Sequence, residues 1–549
     1  MLNHHTRQIL LSLVVFALLA AAHTWPLAAA PAHWSRIDGD GGINTWALSW
    51  VAHAILTNPT HLFDANIFYP EKLTLAYSEA MIVQSLFALP VIAMGGSAVL
   101  AYSVAVLGGF ALTGWAFCLL LQKWTGSWAA GYVAGSLAAF NAYSLVNFTH
   151  LQFLHTGFLA AMLFALDRLI TLPRLRDALW LAIAFALQAM ASIYLMVFSV
   201  FALTFALLAR TGEWITRARQ VLTQLVIASI VALVILTPYL LPYWQVSRSM
   251  HFTRNAADAS AASWQNYLST AANIHYERWS RSLGFGSTTS VFPGIAALAL
   301  AGVALVDRKQ RHDPRTRMIT AAIAGGVAMS FAPRLPFYRI LYAAMPLLQS
   351  VRAVDRFGQM ALLLLAVLAG LGVAALQRRL LGSEQPGSPK RMRVGGAIAI
   401  ALVVIVNGEA FRAPIGFTWF DGVPPVYDAL IKDNAAVIVE APFPMPQQWF
   451  LNAPYMVNST RHWRRMLNGY SGFRPPSYQQ SFDAMTRFPA DESLIALSAL
   501  GVTHVVVHQR DMNNGVPDTD TRYDPYANVA SLRLIQRDDD VLIYRLLRR

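Results

Sequence analysis

The chain is written in blocks. Long apolar runs alternate with short polar, often basic, segments, and a final stretch changes character every few residues. The runs near residues 9–29, 98–121, 126–141, 152–170, 178–192, 195–210, 220–244, 290–306, 317–332, 357–377 and 394–410 are continuously apolar. Such runs form helices that cross roughly 30 Å of hydrocarbon, whereas the strands of a transmembrane barrel alternate with period two. The pattern therefore predicts an α-helical polytopic membrane protein with about eleven transmembrane helices. A further apolar piece, MIVQSLFALPVIAMGG, has Glu79 and Gln84 about its start and Pro90 inside it, so it predicts an interfacial or re-entrant helix. The first run follows MLNHHTRQ and leads into an Ala-rich stretch resembling a secretory signal, and its length reads as an uncleaved first span.

From about Pro414 the pattern is that of a small α/β domain. VYDALIKDN reads as a helix before the strand AVIVEAP, SLIALSALG as a helix before THVVVH, and LRLIQRDDDVLIYRL as a hairpin about an Asp-rich turn. The expected division is a transmembrane domain over residues 1–410, with a first outer loop at 30–97, and a C-terminal extracytoplasmic α/β domain over 411–549.

Composition sharpens this reading. With 56% hydrophobic and only 13% charged residues and a mean hydropathy of +0.43, the chain departs from soluble domains, in which about a quarter of residues are charged. The formal charge of +13 does not point to nucleic acid, because the basic residues cluster in short loops between spans. With a cytoplasmic N-terminus, the inner loops hold Lys123; Arg168, Arg174 and Arg176; Arg210, Arg217 and Arg219; Arg308, Lys309, Arg311, Arg315 and Arg317; and Arg378, Arg379, Lys390, Arg391 and Arg393, as the positive-inside rule requires. A true crossing at MIVQSLFALP would invert every later cluster. The same count places the acidic first loop, residues 141–151, 247–285 and 333–356, and everything after about Asn407 outside. The linker LLGSEQPGSPKRMR is a cytoplasmic turn, and the single Cys118 allows no disulfide.

Candidate chemistry gathers on the outer side. Asp38-Gly39-Asp40-Gly41-Gly42 sets two carboxylates on a pliable backbone, where they could deprotonate a hydroxyl or hold a divalent cation, or cap the helix beginning near Ile43. Asp64, Asn66, Tyr69 and Glu79, with Tyr77 and Ser78, form a polar-aromatic cluster suited to a sugar ring or to an interfacial aromatic belt. His150 stands with Asn141, Asn147 and Gln152 at the outer end of a span. Arg352 and Arg356 are spaced for one helical face and match phosphate geometry, or make snorkelling or Asp355-paired cations. Arg254, Glu277, Arg278 and Arg281 show no clear pattern. The segment NSTRHWRRMLNGYSGFRPPSY concentrates His462, Trp463, Arg464, Arg465, Tyr470 and Arg474, and reads as a lid or recognition loop, or as a seal against the membrane.

The strings GDGGINTWALSW, NIFYP, LAYSE, VRAVDRF and LNGYSGFRPPSY resemble bacterial multi-pass proteins assigned to the GT-C class of integral membrane glycosyltransferases. The resemblance implies transfer of a sugar from a polyprenyl-phosphate donor to a lipid, glycan or protein acceptor on the outer face of the cytoplasmic membrane. It implies Asp40, then Asp38, as the acid that activates the acceptor, and Arg352 and Arg356 as holders of the donor phosphate. No nucleotide cofactor is implied; a divalent cation would fall to Asp38 and Asp40. The chain departs from the class after the third span, where His150 stands instead of a second acidic motif. The rival reading is a transporter or flippase, or a non-catalytic scaffold, for lipid-linked saccharides in envelope assembly. Spans almost free of ionisable groups and the lack of an internal repeat rank it below transfer.

Overall fold

The computed structural model describes residues 3–250, 255–283, 290–382, 389–512 and 524–547. Arg254, residues 383–388 of the linker LLGSEQPGSPKRMR and the flanks of these segments lie outside the described residues. The long helices are α1 (His4–His23), α2 (Gly39–Thr57), α3 (Ile82–Ala93), α4 (Ala98–Thr125), α5 (Trp128–Ala139), α6 (Gly157–Thr171), α7 (Leu175–Ala191), α8 (Ile193–Leu208), α9 (Ala218–Ser249), α10 (Ile295–Val306), α11 (Pro314–Phe331), α12 (Phe357–Leu381) and α13 (Pro389–Ala410). Each expected span is occupied by a helix. Among the described residues six helical segments are long and apolar enough to cross a membrane, or seven if the sharply bent pair Pro314–Arg334 and Tyr338–Ala344 is one span. The other four, α5, α7, α8 and α10, have 12 to 17 residues. At about 1.5 Å per residue the shortest fall well below the bilayer thickness. Their ends are written in the sequence: Ser192 ends α7 and caps α8 by accepting from Leu195 N, and Ser127 caps α5 by accepting from Ala130 N. The chain is a multi-pass membrane protein.

Two compact units emerge, and neither follows chain order: one comprises Met1–Ala29, Val106–Tyr239 and Thr253–Ile415, the other Ala30–Ala105, Leu240–Phe252 and Gly416–Arg549. In the first unit, α12 is buried almost along its length and packs against α5, α10 and α11. Gly370 lets it approach α5, since a Cβ there would lie 2.8 Å from Leu121 Cγ and 2.9 Å from Ala134 Cβ.

The loops that charge assigns to one side are bonded to one another within this unit. Asp167 accepts from Arg210 at 2.5 Å and from Arg315 at 2.9 Å. Arg315 also donates to the carbonyl of Trp124, and Arg317 pairs with Glu213. Arg379 pairs with Asp307, Arg378 donates to Gln310, and Ser127 donates to Gln377. The ends of five helix-to-helix connections therefore share one side, the arrangement that the alternation of basic loops demands. Arg210 and Asp167 are both nearly inaccessible. Replacing Asp167 by Ala strips a buried guanidinium of its closest carboxylate, so Asp167→Ala is expected to destabilise the protein by about 3–5 kcal/mol, read as a fall in thermal unfolding temperature in detergent.

The second unit holds two sheets. Strand β1 (Trp34–Ser35) pairs antiparallel with β2 (Thr418–Trp419). The larger sheet is formed by β3 (Val437–Ala441), β4 (Arg465–Met466), β5 (His504–His508), β6 (Leu532–Arg537) and β7 (Val541–Leu546), in the order β4-β3-β5-β7-β6. Strands β4, β3 and β5 are parallel, and β7 and β6 close the sheet as the expected antiparallel hairpin. Every residue of β3 and β5 is buried, Glu440 and the two histidines of β5 included.

Candidate functional site

The Asp-Gly repeat opens α2. Gly39 has φ +46°, a left-handed conformation natural to glycine. A Cβ on Gly41 would run into the carbonyl of Arg36, and one on Gly42 would lie 2.8 Å from Ala453 Cβ, on the helix Ala453–Ser459 that packs against α2. Two of the three glycines thus serve close backbone approach and the third a turn. Asp40 falls in the first turn of α2, where the helix dipole favours negative charge.

The two carboxylates bond to different side chains. Asp38 stands at the N-cap position without making a side-chain cap bond. Both of its oxygens accept from Arg36, each at 2.8 Å, and the remaining Arg36 amine donates to the carbonyl of Gly416 at 3.0 Å. That bidentate bond holds Asp38 below the usual carboxylate range. Asp40 Oδ1 accepts from the Tyr470 hydroxyl at 2.9 Å, and the Tyr470 ring meets Trp449 edge-on at 5.2 Å. Of the two carboxylates expected to take a divalent cation, Asp38 is engaged by the Arg36 guanidinium and Asp40 by the Tyr470 hydroxyl. Among the described residues no group of three or more His, Cys, Asp or Glu could hold a metal ion.

The polar-aromatic cluster proves to be a junction. Asn66, expected at a sugar, is 1% exposed and its amide is spent inside the protein: Oδ1 accepts from Trp46 Nε1 at 3.0 Å, while Nδ2 donates to Ser459 Oγ and to the carbonyl of Arg464, each at 3.1 Å. Arg464 is likewise committed, donating to the carbonyls of Leu430 and Ile431 at the end of a short helix. Asp64 accepts from His61 and from Leu73 N, each at 3.0 Å. The Tyr69 ring lies under the Arg465 guanidinium, 5.1 Å away. Glu79 is half-buried between two residues pinned by Tyr243, whose hydroxyl donates to the carbonyl of Ser78 and accepts from Ala80 N.

The two families of strings mate. Met466 N donates to Asn66 O at 2.8 Å, Tyr69 N to Met466 O at 2.9 Å and Phe68 N to Asn468 O at 3.2 Å, so NIFYP extends the sheet beyond β4. The glycines of LNGYSG make room for it: a Cβ on Gly469 would lie 2.6 Å from the Phe68 ring, and one on Gly472 would lie 2.9 Å from the Tyr77 carbonyl. The segment expected as a lid, a recognition loop or a membrane seal is the edge to which the loop at 30–97 is stitched.

The remaining expected residues lie in the first unit. Arg352 and Arg356 do not share a helical face, because Val354–Arg356 is a 3₁₀ turn entered through Ala353, which bridges to Ser260, and α12 starts only at Phe357. Arg352 is exposed. Arg356 lies over the rings of Phe153 and Tyr194 at 5.0 and 5.3 Å, and the His150 ring is 6.2 Å from that of Phe153. His150 and Arg356 thus converge on one aromatic ring.

Trp46, Tyr243, Ser459 and Trp449 escape sequence reading, since nothing local marks an indole or hydroxyl as the partner of a distant backbone. Glu440 and His508 left a clearer trace: each interrupts or ends an apolar strand that packs beside the other's.

No protein-family model matches the sequence, and no curated protein matches it. Solved structures do. The arabinofuranosyltransferase AftD from Mycobacteria matches over 99% of this chain with a TM-score of 0.57 at 14% identity, and a variant of the same protein matches with 0.57 at 15%. The chain spans about 40% of the length of those AftD chains. ArnT from Cupriavidus metallidurans bound to undecaprenyl phosphate matches over 98% of both chains, with a TM-score of 0.48 and 10% identity. The fold is similar to that of AftD: a helical membrane fold with a small C-terminal sheet.

Proposed function

We propose that the protein is a membrane glycosyltransferase that moves a sugar from a polyprenyl-phosphate donor to an acceptor on the outer face of the cytoplasmic membrane, with the N-terminus cytoplasmic. The observation that carries this reading is the placement of Asp40, a carboxylate in the first turn of a helix, oriented by the Tyr470 hydroxyl and set beside aromatic rings. A fold similar to that of an arabinofuranosyltransferase supports it. In the proposed step Asp40 takes the proton of an acceptor hydroxyl as its oxygen bonds to the anomeric carbon. The bond from that carbon to the donor phosphate breaks, and the electron pair leaves with the polyprenyl phosphate. Asp38 acts through Arg36, anchoring the turn that presents Asp40. In the first unit, Arg356 is proposed to meet a lipid phosphate, and His150 to orient polar groups beside it.

The test is transfer by the purified full chain in vesicles, supplied with polyprenyl-phosphate-linked pentoses and hexoses. A new glycosidic bond in the product is the expected result. Movement of a lipid-linked saccharide across the bilayer with no new bond would favour the transporter reading instead.

A further inference from the structure

We propose that the β1–β2 ribbon is a saccharide-binding platform whose stacking face is Trp419. The inference rests on the glycosyltransferase reading to the extent that it makes the acceptor a glycan. The ribbon is two residues long, and its register sets Trp34 directly opposite Trp419 and Ser35 opposite Thr418. Cross-strand partners share a face, so one face carries both indoles while Ser35 is wholly buried on the other. Trp419 is 53% exposed, although large aromatics ordinarily seek cover. It is also held still. His33 stacks on it with 4.6 Å between centroids and 6° between planes, Trp34 meets it edge-on at 5.4 Å, and its Nε1 donates to Asp421 at 2.9 Å.

A rigid, flat, exposed ring is complementary to the C–H face of a sugar, and the sugar's hydroxyl rim needs acceptors and donors at the ring's edge. Asp421 supplies a carboxylate beside Trp419. Arg36 and Asp38 follow β1 directly, and Arg36 is tied back to Gly416, two residues before β2. The two acids argue against the other use of an exposed indole, anchoring in a lipid surface, because both carboxylates are exposed where anionic headgroups would repel them. Four residues separate Ser35 from the candidate base Asp40, so a glycan on the ribbon would be an acceptor held by sugars beyond the one that reacts.

The full chain in detergent should bind cellopentaose or arabinopentaose saturably in ligand-observed NMR. Trp419→Ala should weaken that binding about tenfold, the equivalent of about 1.4 kcal/mol, while Trp419→Phe, which keeps a stacking face, should stay within about threefold. Trp264→Ala, at another exposed indole, should change nothing. Equal binding by wild type and Trp419→Ala, or binding of neither sugar, overturns the proposal. So does a Trp419→Ala variant that loses vesicle association but keeps saccharide affinity. Transfer assayed in parallel separates the two ideas: binding without transfer removes the glycosyltransferase reading alone, and transfer with an acceptor KM indifferent to Trp419 removes the platform alone.

Discussion

Asp40→Asn is expected to lower sugar transfer by about 10²–10⁴-fold, the range that a positioned general base supplies, with the variant still folded. The amide keeps the size of the side chain and can still accept from the Tyr470 hydroxyl, so the thermal unfolding temperature should move little while turnover collapses. Tyr470→Phe is the companion. It removes the hydroxyl that orients Asp40 and leaves the ring against Trp449, so it should lower kcat less than Asp40→Asn does and shift the pH profile of the rate. Unchanged transfer by a folded Asp40→Asn variant would end the assignment of Asp40 as base. Asp38→Asn tests a different role. It replaces a bidentate bond from Arg36 by a single bond to the amide oxygen, so its effect should appear as a smaller loss of rate that Asp38→Glu partly restores.

A stability effect as large as that at Asp167 is expected inside the sheet of the second unit, at Glu440→Gln. Glu440 is completely buried and accepts from His508 Nε2 at 2.5 Å and from the Tyr427 hydroxyl at 2.8 Å. Asn458 donates to Tyr427, and Tyr455 stacks on the imidazole. Burial acts to lower the His508 pKa, but the hydrogen bond and charge of Glu440, aided by Asp511 and Asp540, outweigh it, and the net result is a raised value. A histidine with a raised folded pKa gives stability that is fully present below its unfolded value near 6.5 and is lost as pH rises through the folded value. The wild-type protein should therefore unfold at lower temperature under mildly alkaline conditions than near pH 6. Glu440→Gln leaves the imidazolium buried without its counter-charge and should cost about 3–5 kcal/mol. The double variant Glu440→Met with His508→Leu, which removes both charges, should recover much of that loss and flatten the pH dependence. A single variant as stable as wild type would show that the pair is neutral in the folded protein.

The helices were legible because lipid imposes a long apolar run on anything that crosses it, and the strands AVIVEAP and THVVVH were legible because a parallel strand buried on both faces is mostly apolar. Polar residues resisted reading. Asn66, Tyr69 and Arg464 carry the composition of a sugar site, yet the same composition serves a buried junction whose hydrogen bonds join segments far apart in sequence. Local pattern cannot tell an amide aimed at a ligand from one aimed at a serine 393 residues away. The shared helical face expected of Arg352 and Arg356 is absent for a geometric reason. Spacing by four implies one face only inside an α-helix, and a 3₁₀ turn precedes α12 there. Asp40 stands out in the sequence because an acid between glycines at a helix start is conspicuous, whereas its bond to Tyr470 joins residues 430 positions apart.

The stitching of NIFYP to LNGYSG has a consequence for biogenesis. Asn66 leaves the ribosome long before Arg464, 398 residues further on, can offer its carbonyl. During synthesis the first loop therefore waits with an unpaired edge while helix after helix is inserted, and the second unit closes only when its last segment has been delivered to the same side of the bilayer. A chain released before β4 would strand that edge on the membrane surface, the kind of species that quality-control proteases and chaperones recognise.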